Sequence, residues 1–206
     1  MEAWDDITGT GLNPKEVQKA RMKEIGYIVN KKVWRKIPRA EAYQRGLKVI
    51  GTRWIDVNKG DEANPDLRSR LVAQEYNVGK EAGLFAATPP LEAVKMQISE
   101  AATVDLGQCA EDKILMINDV ARAFFEAPMT REVCVELPDE AKDDEDWKND
   151  RVGLLLMSLY GTRDAAANFQ KEVTKFMKSN GFPAGKYNVC TFYNKDTEIR
   201  TLVHGD

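Results

Sequence analysis

The chain has 206 residues, 43% of them hydrophobic and 31% charged, a composition typical of folded globular proteins. Its longest clean apolar stretch, residues 152–157, is far shorter than the ~20 residues that span a bilayer, so no transmembrane helix is expected. One His and three scattered Cys argue against a zinc finger and against Ser-His or Cys-His catalysis, and they indicate reduced thiols.

The net charge of −3 conceals an uneven distribution of charge along the chain. Residues 139–150 hold seven acids and two bases, whereas residues 12–76 hold 15 bases and eight acids. A basic segment of this kind can bind phosphate groups or can simply form a solvated face. The charge pattern alone leaves both interpretations open.

Local signals in the first part of the chain predict a helix, a strand and a β-hairpin. Asn13 as a cap, followed by Pro14, predicts a helix to about residue 28, and residues 33–37 predict a short strand. Residues 48–58 and 67–76 predict the two strands of a hairpin, because the connector between them is rich in turn-forming residues.

The remainder of the chain mixes helices and strands. Thr88-Pro89-Pro90 precedes a predicted helix of about 15 residues. Further strands are predicted at 113–119 (buried), 132–137 (an edge or half-exposed strand), 151–157, 191–193 and 199–203, and a long helix at 163–180 before Gly181. This order predicts an α+β fold with helices packed on one face of an antiparallel sheet.

Two acids close apolar runs, Asp119 after residues 114–118 and Asp206 after residues 201–205. On adjacent strands, the two carboxylates could hold a pair of divalent ions about 4 Å apart, as phosphoryl transfer requires. A lone Asp after a strand is more often a turn or helix cap, and Asp206 could be a frayed terminal residue. Spacing alone does not decide between these interpretations.

Longer motifs point to a family. The segment INDVARAFFEAPMTREVCVELP, residues 117–138, resembles the first catalytic motif of copia-type retrotransposon reverse transcriptases, D-V-x-x-A-F. RSRLVAQEY and GTRWIDVNKG resemble the family's finger strands, LMSLYGTRDAAANFQKEV resembles its S-L-Y-G-L-x-Q segment, and LVHGD resembles the start of Y-x-D-D. Five motifs in the family's order over about residues 34–206 make the resemblance specific.

The resemblance implies the fingers and part of the palm of an RNA-directed DNA polymerase, incomplete at its C-terminus. Residues 1–30 would be an N-terminal helical extension, 31–88 a fingers-like hairpin region, and 89–206 a palm-like region. The enzyme would transfer a nucleotide from a dNTP to a primer 3′-hydroxyl on an RNA or DNA template.

The resemblance also implies a metal site. Asp119 and Asp206 would be the catalytic acids and, with the backbone carbonyl of Val120, would hold two Mg²⁺ ions, with Mn²⁺ as an alternative metal.

Five further residues would bind the nucleotide. Arg68 and Arg70, two positions apart on one strand face, would contact the triphosphate. Phe124 would lie under the sugar and leave no room for a 2′-hydroxyl, although core packing is an equally good reason for a Phe there. Tyr160 and Gly161 would contact the base or sugar.

The chain also departs from the family pattern. His204 stands in place of the Tyr, residues 164–167 replace Q-A-P-R, and Phe169 replaces a Trp. Because the sequence ends before the second acid of the Y-x-D-D motif, little or no primer extension is expected from these residues alone.

A second hypothesis is therefore a catalytically inactive remnant that binds nucleic acid or protein. The N-terminus is unlike a signal peptide, and the resemblance implies an intracellular protein of the cytoplasm or nucleus.

Overall fold

The structure, a computed structural model, describes residues 2–76, 84, 86–103 and 113–205. The helices are α1 Pro14–Asn30, α2 Arg39–Gln44, α3 Leu91–Ala102, α4 Asp144–Lys148 and α5 Ala165–Ser179, with 3₁₀ turns at Ala123–Glu126 and Asp139–Ala141. The strands are β1 Trp34–Pro38, β2 Val49–Ile50, β3 Thr52–Asn58, β4 Leu67–Ala73, β5 Cys134–Val135, β6 Arg151–Leu155, β7 Thr191–Tyr193 and β8 Arg200–Leu202.

The strands form one four-stranded sheet and two hairpins. The sheet has the order β1-β6-β5-β2, β3 pairs with β4, and β7 pairs with β8. Mixed helices and sheets confirm the α+β class. The sheet is not purely antiparallel, however, because β2 pairs with β5 in parallel. Only residue 51 separates β2 from β3, so the chain runs from the sheet directly into the hairpin.

Helix α1 begins where the sequence predicts. The Asn13 side chain accepts a hydrogen bond from the Lys15 N–H at 3.0 Å, and Pro14 occupies the first turn. The buried face of α1 packs against β4 and contributes Ile25 and Ile28 to the main core. The helix thereby becomes one wall of the space beside β4.

The main core joins α1, the β3–β4 hairpin and the four-stranded sheet. Ile28, Leu71, Phe125, Val135 and Leu159 are each at most 1% exposed. Burying side chains of this size contributes roughly 1.5–3 kcal/mol each. These residues come from both sides of residue 88, the boundary between the predicted fingers-like and palm-like regions. The hairpin and the sheet therefore share one core.

The buried strand predicted at residues 113–119 is wrong. Residues 113–120 belong to no strand and are exposed, with Ile114 at 87% and Ile117 at 88%. A strand needs a hydrogen-bonded partner as well as apolar side chains, and an apolar run in the sequence does not supply one. Residues 113–115 lie instead beside α3 and the start of β8.

The prediction of an edge or half-exposed strand at residues 132–137 is also wrong. Strand β5 lies between β6 and β2, and both of its residues are buried. The alternation came from Glu132 and Glu136, whose carboxylates pair with Arg45 and Arg39. The alternation of charged and apolar residues, which is typical of a half-exposed strand, therefore arose here from charged residues on either side of a buried strand.

The other local predictions are confirmed in type and approximate position. They are β1, the β3–β4 hairpin, α3, β6, α5 and the β7–β8 pair. Helix α5 ends just before Gly181, which has φ +83°.

The acidic segment 139–150 neutralises part of the basic N-terminal region. It forms a 3₁₀ turn and α4, whose N-terminus has a capping box between Asp143 and Asp146. Four of its acids form ion pairs with earlier bases: Glu140 with Arg21, Asp143 and Asp146 with Lys36, and Asp150 with Arg39. Only part of the basic excess is thus left for an external anion.

The structure also bears on two expectations from the composition, those about the cysteines and about membrane spans. Cys134 and Cys190 are buried free thiols, while Cys109 lies outside the described residues. No helix in the described ranges has the length and apolar character needed to cross a membrane.

Candidate functional site

A cleft of about 290 Å³ lies between α1, β4 and the segment that begins at Asp119. It brings together five residues that the sequence analysis singled out: Arg68, Arg70, Asp119, Val120 and Tyr160. Helix α1 forms one wall of the cleft, and this role was not predicted from the sequence. Asp206 lies outside the described residues, and Phe124 and Gly161 adjoin the cleft residue Tyr160.

Asp119 and Val120 offer hard oxygen donors at the cleft. Both residues are exposed, and the Asp119 carboxylate has no hydrogen-bond or ion-pair partner within the described ranges. A carboxylate and a backbone carbonyl are the ligand types that Mg²⁺ prefers, so these donors fit such an ion. Among the described residues, those of the cleft included, no three His, Cys, Asp or Glu side chains form a group that could hold a metal ion, and Asp206 lies outside these residues.

Strand β4 lines the cleft with two guanidinium groups. Along the strand, Arg68 and Arg70 are exposed while Ser69 and Leu71 are buried, as their spacing of two requires. The Arg68 Nη2 atom lies 2.9 Å from an Asp66 carboxylate oxygen. Guanidinium groups form bidentate hydrogen bonds with phosphate, so this wall suits a phosphorylated ligand.

Aromatic rings form the floor behind the arginines. The Arg70 guanidinium lies 5.3 Å from the centre of the Tyr160 ring, and the Phe124 ring centre lies 4.7 Å from that of Tyr160. Phe124 also approaches Phe169 at 6.2 Å and lines a separate apolar cavity of about 200 Å³. Phe124 is thus half-buried, packs against the core and contacts a cleft residue at the same time.

Gly161 lies where two backbones approach each other closely. Its φ is +82°, and a Cβ atom at this position would lie 2.0 Å from the Ala73 carbonyl oxygen. Next to it, the Ala73 N–H donates a hydrogen bond to the Tyr160 carbonyl at 2.7 Å. The loop that carries Tyr160 can therefore reach the end of β4 only with glycine at position 161.

Two buried carboxylates fix the same loop. Arg131 donates hydrogen bonds to Glu75 at 2.8 Å and to Asp164 at 2.9 Å, and the Arg163 N–H donates to Glu75 at 2.9 Å. Burial opposes ionisation of both acids, but these bonds outweigh it and lower the pKa of Glu75 and the pKa of Asp164.

This network makes stability depend on pH. A carboxyl group whose pKa is lower in the folded state stabilises the fold above its unfolded pKa, and that contribution is lost as the pH falls through the folded pKa. The unfolding free energy of the wild type should fall as the pH is lowered from about 5 to about 3, and we expect a smaller fall in Glu75→Gln. Urea unfolding of both proteins across that range measures it, and parallel pH profiles would contradict the assignment.

Glu24 lines the cleft from α1 and is not among the site residues predicted from the sequence. Glu24 is 1% exposed, one carboxylate oxygen accepts a hydrogen bond from Arg122 Nε at 2.7 Å, and the other has no partner among described residues. Burial raises the pKa of Glu24, against the opposing effect of Arg122 and Arg70. Glu24 lies seven residues after Val17 and four before Ile28, a spacing that places all three on one face of the helix. An acid on this otherwise apolar face was the one feature of the sequence that could have indicated Glu24.

Comparison with known proteins gives one match. A family model described as reverse transcriptase (RNA-dependent DNA polymerase) matches residues 32–205. No curated protein and no solved structure was found to match the chain. The matched residues include β4 and Asp119 but leave α1 outside.

Proposed function

The chain belongs to the reverse transcriptase (RNA-dependent DNA polymerase) family, and we propose that its cleft is the nucleotide site of a copia-type retrotransposon enzyme. The observation that supports this most strongly is the cleft itself, where Asp119 and the arginines of β4 converge. The family match supports polymerase chemistry, and the copia-type assignment depends on the motifs around Asp119 and Tyr160.

The proposed reaction is nucleotidyl transfer to a primer. The primer 3′-oxygen attacks the α-phosphorus of a dNTP, a new P–O bond forms, and the bond to the bridging oxygen breaks as pyrophosphate leaves. Arg68 and Arg70 would hold the triphosphate, while Asp119, the Val120 carbonyl and Asp206 would hold Mg²⁺, or Mn²⁺ in its place. When bound, two such ions supply charge stabilisation to the attacking and leaving oxygens.

We also propose how the chain is divided between the parts of a polymerase. Residues 1–30 would be an N-terminal extension, 31–88 the fingers and 89–206 the palm. The β3–β4 hairpin, which carries Arg68 and Arg70, supports the fingers assignment because its exposed arginines face the cleft.

The position of Phe124 suggests a role in sugar discrimination. With the smaller Val at this position, the pocket beside Tyr160 would admit a 2′-hydroxyl. We expect Phe124→Val to reduce the preference for dUTP over UTP, which differ only in the 2′-hydroxyl, about tenfold, since a lost steric contact in a pocket changes discrimination by about 1–3 kcal/mol. Competition binding of the two nucleotides measures the ratio.

Phe169→Val is the matched control for this experiment. Phe169 lies beside Phe124 and lines the same apolar cavity, whereas the Phe124 ring itself lies 4.7 Å from that of the cleft residue Tyr160. Both variants should lose stability, and only Phe124→Val should change the nucleotide preference. An unchanged preference in both would leave Phe124 as a core residue and contradict the sugar role.

The test of the proposed function combines dNTP binding with primer extension on an RNA template. We expect dNTP binding that requires Mg²⁺, and we expect any extension to disappear in Asp119→Asn. The contrary outcome is RNA–DNA duplex binding that weakens steeply with salt, is unchanged by Asp119→Asn, and occurs without dNTP binding. That result would favour an inactive nucleic-acid-binding remnant, which the basic residues of the cleft also allow.

A further inference from the structure

Helix α1 lies outside the residues that match the family model, yet it forms one wall of the cleft. Its contribution centres on Glu24, whose carboxylate reaches Arg122, three residues after Asp119. The cleft is therefore completed by a segment to which the family match assigns no role.

The contact holds Arg122 on two sides. The Arg122 Nε donates to Glu24 at 2.7 Å, and its guanidinium carbon lies 3.5 Å from the centre of the Tyr27 ring, also on α1. The Arg122 carbonyl in turn accepts a hydrogen bond from the Phe125 N–H at 2.9 Å, at the start of the 3₁₀ turn. Side chain and backbone of Arg122 thus connect α1 to the segment that carries Asp119.

Two unfavourable features coincide at this contact. Arg122 adopts φ +54°, a left-handed conformation that is strained for a residue with a side chain. Glu24 is a buried carboxylate with one oxygen that has no partner among described residues. Strain and buried charge persist where the surroundings enforce them, and such sites concentrate around functional groups.

We propose that Glu24 is a positioning residue of the nucleotide site, which holds Arg122 and, through the short backbone segment at residues 119–122, orients Asp119. This rests on the proposed function, because Asp119 needs a defined direction only if it serves a bound nucleotide and its metal. Glu24 acts through Arg122 and does not contact the reacting atoms.

The proposal is tested by a double-mutant cycle on dNTP binding. We expect Glu24→Gln and Arg122→Gln each to weaken Mg²⁺-dependent dTTP binding about tenfold, and the double variant to be no weaker than either one. Glu16→Gln is the matched control, since Glu16 lies on the same helix but pairs with Lys19 in solvent. Additive losses, or an equal loss in Glu16→Gln, would overturn the proposal.

Amide hydrogen exchange gives a second measurement that needs no nucleotide. In Glu24→Gln the Phe125 amide, bonded to the Arg122 carbonyl, should exchange faster relative to the Leu155 amide, which is bonded to Val133 inside the sheet. Equal acceleration of both amides would indicate global destabilisation and overturn the positioning role. If wild type binds no dTTP, the proposed function fails, while a selective change at Phe125 would still show that Glu24 holds the turn.

Discussion

Replacing Asp119 with Asn is expected to abolish any primer extension by the protein and to remove the Mg²⁺ dependence of dNTP binding. Loss of one preorganised electrostatic contact to a transition state costs about 10²–10³-fold in rate, and a metal ligand supports at least one such contact. Folding should be nearly unchanged, within about 0.5 kcal/mol, because the side chain is exposed and has no partner among described residues.

Primer extension, dTTP binding and urea unfolding of Asp119→Asn provide the measurements. Asp196→Asn is a suitable control, because Asp196 is also exposed but lies in the β7–β8 turn, away from the cleft. Equal behaviour of the two variants in nucleotide binding would contradict the role of Asp119.

Replacing Gly161 with Ala should be the most destabilising single change in the loop beside the cleft. The new methyl group would meet the Ala73 carbonyl oxygen at 2.0 Å, on a backbone with φ +82°. Left-handed strain and overpacking each cost about 1–3 kcal/mol, so we expect a loss of about 2–6 kcal/mol in unfolding free energy. The Tyr160 ring should shift with the loop, so dTTP binding should weaken as well.

Gly46→Ala separates the cost of backbone strain from the cost of the steric overlap with Ala73. Gly46 has φ +67°, but no atom of the described residues lies within 4 Å of the place where its Cβ would be, so only the backbone strain applies. Urea unfolding of both variants should therefore show a clearly larger loss for Gly161→Ala. Similar losses would mean that the contact with Ala73 relaxes without cost.

Elements with local signals could be predicted from the sequence, and those that depend on distant partners could not. Asn13 caps α1 and Gly181 ends α5 through bonds within a few residues, so their patterns suffice. The apolar run at residues 114–117 carries no information about a pairing partner, and the structure leaves it exposed. The alternation around β5 predicts an edge or half-exposed strand, because the sequence does not show which strands lie on either side of it.

The candidate site was predictable to a similar extent. The motifs indicated Arg70, Asp119 and Tyr160, and the structure brings all three to one cleft. Glu24 and Arg131 were missed because their roles arise from ion pairs with residues 98 and 56 positions away, Arg122 and Glu75. A local sequence pattern does not show which distant residues will form an ion pair. The sequence did show an acid, Glu24, on the apolar face of α1.

The most direct test of the central claim is photo-crosslinking of an azido-dNTP to the chain, followed by mass-spectrometric mapping of the labelled peptide. The proposed site predicts labels at residues 66–70 or 119–122, competed by unmodified dTTP, dependent on Mg²⁺ and lost in Asp119→Asn. Labels outside the cleft, or equal labelling in EDTA, would contradict the assignment of this cleft as the nucleotide site.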